Sequence, residues 1–524
     1  MKKQLYISLL FLFAFPAINH LSAQQHAHHP SNPSDATNTM NTVIPDFQVN
    51  DDQESSSQWC PSMAVDGSGN FVIVWQDERH GDDDIYAQRY SSDGTALGVN
   101  FNVNDDQESA DGSLPSIAVD ESGNFVIVWQ YVGNFSSTIY AQRYSSDGIA
   151  LGGNFKVNDD QEFAYHVDPS ISSDGSGNFV IVWQYSRNDS SDIYAQRYTS
   201  DGTSLGGNFK VNDDQESVYH ANPSVSTDGS GNFVIAWRYS RNDSTDIYAQ
   251  RYASDGIALE GNFKVNDNMG TVWTHPRSTG HPISISSDGS GNLVIVWQDS
   301  RNDKGDIYAQ RYASDGTALG GNFKVNDDQE SDFPEYPFIS SDISGNFVIT
   351  WDEERNGDYD IYAQRYTGDG AALGSNFRVT NTSDGRQDLP SVRLWNNRIY
   401  TAWLDNRLDS TDSDIWANVL DWESPVGIDD DEPSQMPSVF KLCQNYPNPF
   451  NPTTVISYQL SVNSQVKLKI YDLSGREITT IVNERKPAGR YSVEWDAKGL
   501  ASGIYYYRLE AGNHIETRKM VVMK

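Results

Sequence analysis

Tryptophan returns along this chain at positions 75, 129, 183, 237, 297, 351 and 403, in steps of 54, 54, 54, 60, 54 and 52 residues. Spacing this regular constrains the fold before any local motif does, because it requires tandem units of one design, each covering the apolar faces of its neighbours. Each tryptophan closes a copy of Gly-Asn-Phe-Val-Ile-Val-Trp, met in full at residues 177–183. In that third unit Pro169-Ser-Ile-Ser-Ser runs into a turn at Asp174-Gly-Ser-Gly-Asn178, and the aromatic and aliphatic run to Trp183 follows. A polar loop then precedes Ile193-Tyr-Ala-Gln-Arg-Tyr198, a turn falls at Asp201-Gly202, and Phe209-Lys-Val-Asn212 ends the unit. Alternation of period two between Gly and Asp turns, with no window of helical period, predicts four short strands per unit. Four strands in such a length match one blade of a β-propeller.

Counting strand types sharpens this reading. Pro-led strands begin at Pro61, Pro115, Pro169, Pro223, Pro282, Pro337 and Pro390, and the Ile-Tyr-Ala type also occurs seven times, ending with Ile415-Trp-Ala. The Phe-x-Val strand is displaced: its first copy, Phe47-Gln-Val-Asn50, precedes the first Pro-led strand, and none follows Leu420. Residues 47–50 are therefore expected to supply the outer strand of the last blade and latch the ring, which removes exposed sheet edges. The expectation is an all-β chain, a seven-bladed β-propeller over 46–422 followed by a small Ig-like β-sandwich.

Met1-Lys-Lys, an apolar run from Leu5 to Ile18 and Leu21-Ser-Ala23 predict a secretory signal peptide over 1–23. No later run is long enough to span a bilayer. Residues 24–45, rich in Gln, His, Asn, Ser and Pro, are expected to be a disordered leader. Cys60 and Cys443 fall in different regions and are expected to stay unpaired. The chain carries a net charge of −35. The signal and the tail are basic, so the acidic charge is concentrated on the repeats, which excludes nucleic acid as a partner and suits a solvated exterior.

The turn motif at Asp174 places Asp, Ser and Asn at alternate positions, as a calcium loop does, yet Tyr185 stands where such a loop needs its closing carboxylate. Gly and Asn at positive φ and an Asp bonding its own backbone explain the motif without metal, so no cofactor is expected, with calcium as the weaker alternative. A sialidase Asp-box does not fit, because Ser176 occupies a required Gly and no Thr-Trp follows. WD40 repeats fit no better, since Trp351-Asp352 gives the dipeptide once. Residues repeated in every blade serve what blades share. The arginines of Gln-Arg-Tyr, from Arg89 to Arg365, are thus expected to be structural. Arg187, Arg241, Arg301, Arg355 and Arg407 are expected to pair with Asp192, Asp246, Asp306, Asp360 and Asp414.

Function is expected where blades differ. The segment from the Phe-x-Val strand to the next Pro is longest between Asn266 and Pro282, where it brings Trp273, His275, Arg277 and His281. Equivalent loops bring Trp59, Tyr165, His166, Tyr219, His220, Phe333 and Tyr336. Aromatic platforms with polar rims suit sugar or peptide binding, and the same rings would equally plug the channel mouth. Carboxylates such as Glu162, Glu216, Glu330 and Glu335 are abundant, but abundance selects no acid and base pair. A buried carboxylate pair at the channel mouth beside the 269–281 insertion would indicate a glycosidase or lyase; aromatics without one would indicate binding.

After Trp422 the chain changes character. Residues 423–439 form an acidic, Pro-containing linker, and Phe440-Lys-Leu-Cys-Gln-Asn-Tyr-Pro-Asn-Pro-Phe-Asn-Pro452 follows. Leu468-Lys-Ile-Tyr-Asp-Leu-Ser-Gly-Arg476, Trp495-Asp-Ala497, Gly503-Ile-Tyr-Tyr-Tyr-Arg508 and a basic end complete it. Residues 440–524 resemble the type A C-terminal sorting domain of the type IX secretion system. The resemblance implies the secretion machinery as partner and export across an outer membrane, with release or surface attachment. The repeats resemble bacterial secreted repeats with Gly-Asn-Phe-Val-Val-Val-Trp and Ile-Tyr-Ala-Gln-Arg elements, which adds no functional residue. The expected function is a monomeric binding or adhesion module for glycan or protein, with a propeller glycosidase or lyase as the rival.

Overall fold

The computed structural model describes residues 40–422 and 441–522 apart from short loop stretches, the longest of them 268–281 and 443–451. Every regular element among the described residues is a β-strand. In the first unit Gln58–Val65, Phe71–Asp77, Asp84–Tyr90 and Phe101–Asn102 pair in chain order as one antiparallel sheet. The same order repeats in the units that open at Asp111, Tyr165, Tyr219, Ile283 and Asp332, with one parallel bridge, Ser191 to Tyr219, linking the third to the fourth.

The last sheet is composite. Gln387–Trp395, Arg398–Asp405 and Asp414–Asp421 take Thr42–Gln48, from the opposite end of the propeller, as their outer strand. Phe47 lies opposite Ala417 just as Phe209 lies opposite Ala195 in the third unit, so the latch reproduces the register of an ordinary blade. Each inner strand touches the next, and Gln387–Trp395 touches Gln58–Val65, which closes the circle. The architecture is a β-propeller. It begins earlier than expected: the latch strand opens at Thr42, and Met40 is buried beside Trp403, Leu420 and Trp422.

The repeated tryptophans are at most 1% exposed. Burying an aromatic of this size removes about 150–250 Å² from water, worth about 4–6 kcal/mol at ~25 cal/mol per Å². The blades meet over apolar clusters; Val180, Val182 and Ile193 of the third blade meet Phe233, Ile235 and Trp237 of the fourth. Aromatic stacking adds to this, since Tyr198 lies 4.8 Å from Phe179 in its own blade and 5.6 Å, edge-on, from Phe155 of the preceding one.

Polar repeats link neighbours as well. Asp174 Oδ1 accepts from the backbone N–H groups of Ser176 and Asn178, and its Oδ2 accepts from Asn178 Nδ2, so the turn engages both oxygens. Gly177 has φ +82°, and a Cβ there would lie 2.9 Å from the Asp120 carboxylate of the preceding blade, which leaves glycine as the residue that fits. Arg197 donates to the carbonyls of Ser254 and Asp255 in the next blade, and Arg251 donates likewise to Ser314 and Asp315. At the closing junction Arg398 donates to Ser92 O.

The loop arginines depart from expectation. Arg301, Arg355 and Arg407 pair with Asp299, Glu353 and Asp405 on the strand ends just ahead of them, and lie over the rings of Tyr308, Tyr362 and Trp416. Asp192, Asp246 and Asp306 pair instead with Lys210, Lys264 and Lys324, because the outer strand sets each lysine opposite the third strand.

The tail is a small Ig-like β-sandwich. Lys441–Leu442, Thr453–Leu460 and Gly489–Asp496 form one sheet; Glu477–Lys486, Ser464–Tyr471, Gly503–Ala511 and His514–Val522 form the other. Ile456, Leu468, Tyr507 and Leu509 fill the core between them.

Candidate functional site

Six of the described inner strands begin before their prolines, not at them, while the fifth runs from Ile283 to Ser287, after Pro282. Pro has no N–H to give to the ladder, and the residue ahead of it takes a left-handed conformation: Cys60, Leu114, Asp168, Asn222, Tyr336 and Leu389 have φ between 47° and 54°. Pairing slips at this point in each of these strands, which makes it a β-bulge. A bulge re-aims the side chains beyond it. The residues ahead of the prolines thus share one end of the propeller with the residue after each tryptophan, as in the pairs Trp59 with Gln76 and Glu335 with Asp352.

Three expected aromatics stand open there: Trp59 is 37% exposed, Tyr165 52% and Tyr219 43%. Trp59 lies near the Glu78 carboxyl, whose pKa is raised by burial and by nearby Asp83. The Tyr219 hydroxyl accepts from Gln184 Nε2 at 3.2 Å, and the Arg238 guanidinium lies 5.6 Å from the Tyr219 ring. These are flat apolar faces with polar groups at their edges.

The histidines are placed differently from the open rim expected of them. His166 is 3% exposed and His220 1%, because strand alternation turns the residue after each exposed tyrosine inward. His166 packs against Tyr185 and Trp183, and His220 against Tyr239 and Trp237. Their backbones exchange hydrogen bonds with Ser137 and Ser191 of the preceding blades. They therefore hold blades together. Tyr336 is buried too, at the bulge itself. Trp273, His275, Arg277 and His281, with Phe333's side chain, lie outside the described residues.

An acidic group between the sixth and seventh blades completes this end. Asp352 is fully buried, and neither of its oxygens has a hydrogen-bond partner among the described residues. Burial first, then the charges of Asp388 and Glu335, hold its carboxyl well above the usual range. Burial also raises Asp388, although Arg386 Nε donates to it at 2.6 Å. The same guanidinium lies 4.3 Å from the ring of Tyr359, whose hydroxyl burial pushes up to about 12. A carboxyl whose protonated form is favoured by burial and by neighbouring carboxyl groups is the kind of group that general acid chemistry uses. Glu335 was among the carboxylates singled out in the sequence, while Asp352, Asp388 and Arg386 were not. A signal existed: Asp352 replaces the Gln that follows Trp75, Trp129, Trp183 and Trp297, and Asp388 and Glu335 both stand two residues before a Pro.

Fold and site define a β-propeller protein with an aromatic and acidic end. Residues 444–523 match the family described as the secretion system C-terminal sorting domain. The chain thus carries a type IX sorting signal, which directs export and ends in attachment to, or release from, the outer cell surface. No curated protein matches the chain in sequence. Among solved structures it is similar to the polysaccharide lyase Uly1, at 10% identity over 69% of this chain and 90% of that one, TM-score 0.46. It is similar to the α-L-arabinofuranosidase Arb93A of Fusarium graminearum, at 10% identity over 63% and 98%, TM-score 0.43. It is also similar to PorZ, a surface component of the type IX secretion system of Porphyromonas gingivalis, at 14% identity over 88% and 59%, TM-score 0.36. At these identities and scores no substrate is carried over. Among the described residues no helix is long and apolar enough to cross a membrane.

Proposed function

We propose that this protein is an exported or surface-held, seven-bladed propeller that binds extracellular glycan through the bulged end of its inner strands, with a protein ligand as the other outcome. The observation that carries this reading is the set of open aromatic faces at Trp59, Tyr165 and Tyr219, each on an inner strand at the same end. Sugar rings present C–H faces that stack on such side chains while edge groups accept and donate to hydroxyls. The proposal includes removal of residues 1–23, a linker over 423–439, sorting through 440–524, and a monomeric mature protein. A glycan array probed with the mature chain tests the binding role. Trp59→Ala and Tyr219→Ala should each weaken a captured glycan by about tenfold or more; no capture of any glycan points to a protein ligand, and unchanged capture by both variants removes these aromatics from the site.

The acidic group at Asp352, Asp388 and Glu335 supports a second reading, a glycoside hydrolase or lyase. Its buried carboxylates meet the criterion for chemistry in part, although the 269–281 insertion beside which they were expected lies outside the described residues. Release of reducing ends or unsaturated sugars from a polysaccharide, abolished by Asp352→Asn, would establish that reading. Binding without turnover would leave the first.

A further inference from the structure

Two levels of inner-strand residues surround the propeller axis. The first holds serine on every blade except the sixth, which carries Phe338. The second holds alanine on blades 1 and 2, serine on blades 3 to 6 and Arg393 on blade 7. Serines and Arg393 line an axial channel of about 230 Å³, in which Arg393 is the one charged residue among the described lining residues.

Arg393 stands in this channel without a carboxylate. Its one hydrogen bond among the described residues runs from Nη1 to the carbonyl of adjacent Val392, at 2.8 Å. Burial alone lowers its pKa, to about 10, so the half-buried guanidinium stays charged at neutral pH. A half-buried cation without a counter-charge is costly, and an anion brought to it gains from the reduced local dielectric. The serines on its arc are set as donors. Ser340 Oγ accepts from Leu394 N, Ser286 Oγ from Ser341 N and Ser226 Oγ from Ser287 N, all at 2.9 Å. Each oxygen is thus occupied by the next blade, which leaves the hydroxyl proton free to turn toward the axis.

We propose that the axial channel is an anion site, in which Arg393 and the hydroxyls of Ser340 and Ser286 hold an oxyanion of the sulfate, phosphate or carboxylate class. The acidic exterior does not oppose this strongly at physiological salt, where exposed charges are screened over about 8 Å. The site is separate from the aromatic rim, and its failure would leave the glycan reading untouched.

Isothermal titration of the full chain with sodium sulfate, phosphate and acetate, at ionic strength fixed with sodium chloride, tests the proposal. The natural protein should give saturable binding to at least one of these anions. Arg393→Gln should weaken it by about tenfold or more, and the double variant Ser286→Ala/Ser340→Ala by several-fold. Absence of saturable binding in the natural protein, or equal affinity in Arg393→Gln, overturns the site. Should Arg393→Gln fail to fold, the serine variant and selenate soaked into crystals decide. An anomalous peak beside Arg393 supports the proposal, and peaks confined to the exterior overturn it.

Discussion

The tryptophans divide into two kinds by what their indole N–H meets. Trp75, Trp297, Trp351 and Trp403 donate to Asp77, Asp299, Glu353 and Asp405. Trp129, Trp183 and Trp237, in blades with tyrosine two residues on, keep a buried N–H without a partner among the described residues. Trp297→Phe should therefore destabilise more than Trp183→Phe, by about 1–2 kcal/mol in urea unfolding, since a bond to a charged group is lost in the first case and an orphan donor removed in the second. Equal costs would mean the acidic partners add nothing. Charge burial also gives a pH dependence. Burial, opposed by Arg378, raises the Asp360 carboxyl from 3.8 to about 6, so the folded state holds this proton more tightly than the unfolded chain. Its contribution is fully present below the unfolded value and is lost as pH rises through about 6. Asp360→Asn should flatten the decline of melting temperature between about pH 4 and 6; an unchanged slope would show that Asp360 is ionised throughout. The open aromatics were legible in the sequence because they stand where blades differ. The burial of His166 and His220 was not, because it depends on which face of a paired strand each side chain takes.

At the scale of the strand, the latch is the decisive element. Thr42–Gln48 completes the last sheet, and Asp46 ties it down by accepting from Asn381 Nδ2, Asn418 Nδ2 and Arg407. Deletion of residues 24–50 should lower the melting temperature by at least about 5 °C, and Asp46→Ala should reproduce part of that loss by leaving the strand paired but untethered. A melting temperature unaffected by the deletion would show that the ring does not depend on its latch. Strand types and their order within each unit were readable from period and turn chemistry alone. The bulges were not: a proline marks where a ladder is interrupted, but only pairing to the next strand shows that the inner strand continues through it and turns Trp59 and Glu335 toward the same end.

For the whole molecule, net charge and the sorting tail govern behaviour. A chain at −35 repels itself when compact, so raising sodium chloride from about 0.01 to 0.15 M should raise the melting temperature. A fall would mean that local ion pairs outweigh the global field. Removal of residues 440–524 should keep the rest from the outer surface, measured by surface labelling and by fractionation of the medium. Truncated protein outside the cell at the natural level would show that the tail is dispensable for export.

Periodicity by itself determined the repeated four-stranded unit and the displaced outer strand, because both are written in neighbouring residues at a fixed spacing, while the address carried by the tail was legible through the resemblance of its ordered motifs to a known sorting domain. Tertiary structure alone decided that Asp352, Asp388 and Glu335 meet between two blades, and that Arg393 stands among serines at the axis. Closing a ring brings equivalent positions of different repeats together, and a substitution in one repeat acquires its meaning from what the neighbouring repeats place beside it.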